Sequence, residues 1–172
     1  VMAHCGPTTR VIELRGKTVI PGLNDSHLHV IRGGLHYNLE LRWDGVRSLG
    51  EALERLKIQA QNTPPPQWVR VVGGWNEFQF AEGRMPTLDE LNAAAPETPV
   101  FILHLYDRAL LNRAALRVLG YDEHPPEFDR GVIERDGKGR ATGMLLAKSS
   151  AAILYGTLGR APVLAPEDQA NS

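Results

Sequence analysis

β-prone runs and helix-patterned segments alternate along this chain with short links, and that alternation does most to limit its fold. Ser48-Leu49-Gly50-Glu51 has the form of a capping box, in which the Ser and Glu side chains satisfy each other's backbone donors. Leu49, Ala52, Leu53, Leu56 and Ala60 recur at helical spacing, which predicts an amphipathic helix over 49–61, ended by Thr63-Pro64-Pro65-Pro66. Trp68 to Val72 reads as a strand closed by Gly73-Gly74. Thr87-Leu88-Asp89-Glu90 is a second capping box and opens a short helix that ends before Pro96. Val100 to Leu105 is a strongly β-prone run expected at the centre of a sheet. A helix near 112–119 stops at Gly120, a residue suited to the left-handed turn after a helix. Asp136-Gly137 marks a hairpin between Gly131–Glu134 and Arg140–Leu146, and Ser149–Leu158 reads as a last helix. The expectation is an α/β fold.

Composition narrows the function classes. The chain is 42% hydrophobic and 23% charged, ordinary for a globular protein, so no disordered or fibrous reading is needed. Its net charge of -1 offers no concentrated basic face, which argues against nucleic acid and membrane surfaces as partners. The single cysteine, Cys5, rules out an internal disulfide. With no apolar run of spanning length and no leader-like start, the default expectation is the cytoplasm. A small-molecule substrate and a homo-oligomer both stay open. The two ends read as cut: the first residue is Val1, and Pro166-Glu167-Asp168 resembles the opening of a helix.

His27-Leu28-His29 carries most of the chemical signal. In a strand, side chains at i and i+2 point to one face, so two imidazoles so spaced can converge on one cation. Neutral imidazole is a common ligand of zinc and related metals. Asp25 and Ser26 stand beside the pair and could fix an imidazole tautomer from the second layer of contacts. A bare His-x-His also fits two half-exposed residues at a loop edge. The remaining histidines read as loop or end residues (His4, His36, His124) or as a satisfied core residue (His104).

The longer string Thr18-Val19-Ile20-Pro21-Gly22-Leu23-Asn24-Asp25-Ser26-His27-Leu28-His29 resembles the start of the amidohydrolase superfamily. Val11 to Leu14 and Lys17 to Ile20, around the turn-like Arg15-Gly16, are similar to the last strands of the small β-sandwich that precedes the barrel there. Val72-Gly73-Gly74-Trp75-Asn76-Glu77, Arg84 to Leu91, Thr98-Pro99-Val100-Phe101, Asn112 to Leu116 and Arg135 to Gly143 look like the YtcJ-like branch. That branch carries a large insertion after the first barrel strand.

The resemblance implies hydrolysis of a non-peptide carbon–nitrogen bond, of amide type, by metal-activated water at a site of one or two divalent ions, zinc foremost. His27 and His29 match the family's first ligand pair. Lys148 reads either as a carboxylated bridging ligand or as an ordinary exposed lysine. Relatives often show Asp-Gly-His after the Val100 strand, where this chain has Tyr106-Asp107-Arg108. Arg108 is therefore a candidate for binding a substrate carboxylate, or else a surface arginine paired with Asp107 or Glu90. Trp75 is a candidate pocket wall or a core aromatic. Glu77 and Glu82 are possible acid/base groups or free surface carboxylates.

The implied layout is a sandwich edge over 1–22, the first barrel strand and its loop over 23–47, an α/β insertion over 48–147, and a truncated return toward the barrel over 148–172. A whole (β/α)₈ barrel takes about 250 residues, more than the 172 present. The barrel is thus expected to be incomplete and the chain inactive alone, with later ligands and a catalytic Asp supplied elsewhere. The rival readings are a non-catalytic α/β interaction module and a ring deaminase of the same superfamily.

Overall fold

A computed structural model describes residues 2–26, 37–128 and 130–167. They fall into two units, Val1–Val30 and Ile31–Ser172. In the first, a 3-10 turn spans Met2–His4 and the described side chains are exposed. Arg15 (φ 49°) and Gly16 (φ 80°) both take left-handed conformations, and Lys17 N–H bonds Leu14 O at 3.0 Å. That is the two-residue turn that joins hairpin strands. The expected strands on either side, 11–14 and 17–20, are not formed. A two-stranded ribbon lacking a buried face has too little apolar burial to hold its pairing.

The second unit is a three-layer α/β sandwich. Helices α1 (Leu49–Asn62), α2 (Leu88–Ala94), α3 (Arg113–Leu119) and α4 (Ala152–Leu158) flank a mixed sheet. Its strands are β1 (Val69–Val71), β2 (Val100–His104), β3 (Arg108–Leu111), β4 (Gly131–Arg135) and β5 (Ala141–Ala147), ordered β1-β2-β3-β5-β4. β1 and β2 are parallel, and the other pairs are antiparallel. The described residues form an open sheet, with β1 and β4 at its edges.

Strand alternation sorts the core onto two faces. Val69, Val71, Val100, Ile102 and Leu110 pack with Leu49, Ala52, Leu56 and Leu91 of α1 and α2. Trp68, Phe101, Leu103, Ala109, Leu111 and Leu145 pack with Ala115, Leu116, Ile153 and Leu154 of α3 and α4. β2 is buried on both faces, as its unbroken apolar run requires. Each such side chain contributes about 1.5–3 kcal/mol on full burial.

The helix boundaries follow from their caps. Thr87 and Glu90 form the reciprocal capping box expected for α2. For α1 only half of the box exists: Ser48 Oγ accepts from Glu51 N–H, while Glu51 turns to Arg55 at 2.7 Å. Glu82 completes that cap instead, accepting from Leu49 N–H at 2.9 Å. Gly120 ends α3 at φ 69°. β3 is the element the sequence reading lacks. A three-residue turn, 105–107, sends the chain straight back along β2, so an antiparallel hairpin stands where a strand-to-helix link was expected.

Candidate functional site

β5 is antiparallel to β3, and β3 to β2, so β1, β2 and β5 all run the same way. Their carboxyl ends share one end of the sheet, together with the start of β3. Loops at such ends are where α/β proteins usually place ligands. Trp75, Glu77, His104, Asp107, Arg108 and Lys148 all fall there.

His104 is the hub. It ends β2 on the Val100–Ile102 face, is 4% exposed, and packs edge-on against Trp75 with ring centroids 5.4 Å apart. Its Nε2 lies 2.5 Å from Glu77 Oε2 and its Nδ1 2.9 Å from Asp107 Oδ1. Glu77 is brought there by a 3-10 turn, Glu77–Gln79, which Asn76 and Gln79 cap reciprocally. Asp107 Oδ2 accepts from Arg108 Nε at 2.8 Å and Nη2 at 2.7 Å. The result is an unbroken row: carboxylate, imidazole, carboxylate, guanidinium.

The row holds both acids ionised. Glu77 lies below the usual carboxylate range, chiefly through its own backbone N–H, with His104 adding to the effect against a burial penalty. Burial acts to raise Asp107, but the bonds from His104 and Arg108 outweigh it and leave that carboxyl lowered as well.

His104 is thus the satisfied core histidine of the sequence reading, with both nitrogens engaged and neither open to a metal. Arg108 is the Asp107-paired arginine, its side chain 41% exposed and with N–H donors beyond those that Asp107 accepts. Trp75 takes the core place. It is 5% exposed, donates Nε1–H to Leu103 O at 3.0 Å, and packs with Trp43 and Phe80. Lys148 is exposed just past β5, its backbone N–H on Arg130 O. Glu82 is the α1 cap described above, not a free acid. His27 and His29 lie outside the described residues. Among the described residues, no three His, Cys, Asp or Glu side chains converge to hold a metal ion, so the described groups at this sheet end do not by themselves make up the metal centre that the sequence pattern implies.

Two structural residues escaped the sequence reading. Asn112 is fully buried and uses all its amide capacity. Oδ1 accepts from Val100 N–H and Ala115 N–H, and Nδ2 donates to Ala95 O at 2.7 Å and Thr98 O at 2.9 Å. An Asn directly ahead of the α3 pattern was the available signal, as a helix N-cap. Arg70 is 2% exposed, facing the α3–α4 side of β1 and bonding Pro162 O through Nη2. No signal marked it, because charged residues are rarely buried.

The family model for the amidohydrolase family matches residues 10–172. The chain is 35% identical to an N-substituted formamide deformylase of Arthrobacter pascens, over 85% of this chain and 27% of that protein. It is 34% identical to the putative amidohydrolase YtcJ of Bacillus subtilis, over 86% and 28%, and 33% identical to the protein LONG AFTER FAR-RED 3 of Arabidopsis thaliana, over 82% and 24%. The chain therefore spans about a quarter of the length of the curated relatives it matches. No solved structure matches it. A match over nearly the whole chain, together with several relatives above 30% identity, shows that the chain belongs to the amidohydrolase family.

Proposed function

We propose that the whole protein hydrolyses a non-peptide carbon–nitrogen bond of amide type, using a divalent metal, zinc foremost, held in part by His27 and His29. Family membership supports this reading, and similarity to a protein named N-substituted formamide deformylase carries it. The metal would polarise the scissile carbonyl and activate water. His27 and His29 are its candidate imidazole ligands, and Lys148 is the candidate bridging ligand in a carboxylated form.

Arg108 is the candidate substrate contact. Asp107 holds one edge of its guanidinium, leaving the other to meet a substrate carboxylate. The Glu77–His104–Asp107 row sets that orientation, and Trp75 supports His104 from behind. The described residues act here as a scaffold for a barrel site completed by the rest of the protein. The 172-residue chain alone is proposed to be inactive, because two imidazoles fall short of the three or four protein ligands of a stable zinc site.

The test is hydrolysis of simple N-substituted formamides by the whole protein, with and without chelation, beside the isolated chain. Metal-dependent turnover by the whole protein and none by the chain is the expected result. Chelator-resistant turnover, or turnover by the chain alone, overturns it.

A further inference from the structure

At the opposite end of the sheet lies a half-enclosed cleft of about 340 Å³. It opens between the turn after α1, the entries to β1 and β2, α3, and the segment following α4. Trp68, Pro65, Pro99, Pro162 and Val118 give it apolar walls. Its volume falls at the lower end of the range for small-molecule pockets.

Most polar groups around it are already used. Thr63 Oγ1 donates to Gln59 O, Thr98 Oγ1 to Ala60 O, and Glu97 is paired with Arg117 at 3.2 Å. Two groups are left over. Gln67 Oε1 is buried without a hydrogen-bond partner, an arrangement that costs free energy unless a donor reaches it. The Arg160 guanidinium lies 5.7 Å over the Tyr121 ring and has no carboxylate partner among the described residues. A cation stacked on a ring face keeps its in-plane N–H donors free.

We propose that this cleft binds a small aromatic carboxylic acid that also carries an N–H donor. The ring packs against the prolines and Val118 above the buried Trp68, the carboxylate meets Arg160, and the N–H donates to Gln67 Oε1 once that amide turns from its buried position toward the cleft. Among the described residues the cleft is lined by no imidazole and by one carboxylate, Glu97, which pairs with Arg117, and the proposal is of binding alone. The inference is independent of the proposed hydrolysis.

Hippurate carries all three features and is the probe. Titrated into the ¹⁵N-labelled 172-residue chain, it is expected to shift the Trp68, Thr98 and Val118 amides saturably, with a Kd on the order of 1 mM. Hippuramide lacks the charge and N-benzoylsarcosine lacks the N–H, and each is expected to bind roughly tenfold more weakly. Arg160→Gln, at an exposed side chain, should weaken hippurate by a similar factor and leave the free-protein spectrum dispersed. Gln67→Leu should abolish the preference for hippurate over N-benzoylsarcosine. Absence of saturable shifts at 10 mM (a limit set roughly tenfold above that Kd), or equal binding of hippurate and hippuramide, overturns the proposal.

Discussion

The two ends of the sheet use polar residues in opposite ways. At the carboxyl end of β2, Glu77, His104 and Asp107 are ionisable, close together and satisfied by one another and by one edge of Arg108. At the entry end, the cleft is mostly apolar, yet Gln67 and Arg160 are left without complements among the described residues. The end richer in chemical groups thus closes its buried groups on one another and leaves open only an edge of the exposed Arg108, while the poorer end keeps a buried acceptor without a donor. Saturation, more than residue type, separates a scaffold from a binding site.

The largest expected effect tests saturation within the entry end itself. Asn112 and Gln67 are both amides there, one fully used and one not. Asn112→Ala strips partners from four backbone groups, three of them in fully buried hydrogen bonds, and should cost about 3 kcal/mol in urea unfolding. A loss below about 1 kcal/mol would mean that water replaces those bonds.

At the other end, His104→Ala frees two carboxylates that still reach solvent, so the cost is smaller, about 2 kcal/mol. A neutral result there would show that the row carries no energetic weight.

The third effect is pH dependence. Glu77 and Asp107 have lowered folded pKa values, so their stabilisation is present above the unfolded values near 4 and is lost as pH falls through the folded ones. Glu90, lowered to about 2 chiefly by Arg84, adds to the same loss between about pH 4.5 and 2. Stability should fall steadily over that range, and His104→Gln together with Glu90→Gln should flatten the fall. A profile unchanged by both substitutions would contradict the ionic account.

Gln67→Leu is expected to change least, within about 0.5 kcal/mol of neutral or on the stabilising side, because it removes an acceptor that had no partner. A cost as large as that of Asn112→Ala would show that Gln67 is saturated after all, and the contrast between the ends would vanish.

Much of this was legible in the sequence because it rests on local signals. The α2 capping box, the Gly120 stop and the Asp136-Gly137 hairpin are each set by neighbours within a few residues. What escaped was set by distant partners. Glu82 caps a helix that begins 33 residues earlier. Glu77 meets His104 across 27 residues. β3 was missed because Arg108–Leu111 reads as a lead into α3, and only the fold-back at 105–107 makes it a strand. The core histidine reading of His104 rested on its apolar surroundings, which reveal burial but not the acids that satisfy it. The family was legible from segments that prove largely structural: Arg84 to Leu91 forms a salt-bridged cap, and Asn112 leads the helix entry. The His27–His29 pair, which carries the proposed chemistry, lies outside the described residues.

That division of labour, with His27 and His29 for metal and the His104 row for scaffold, is the central claim. The direct measurement is bound metal per protein in the whole protein, compared among the wild type, His27→Ala/His29→Ala and His104→Gln. The account predicts near-complete loss of metal in the double variant and full occupancy in His104→Gln. Metal retained by the double variant, or lost on replacing His104, would contradict it.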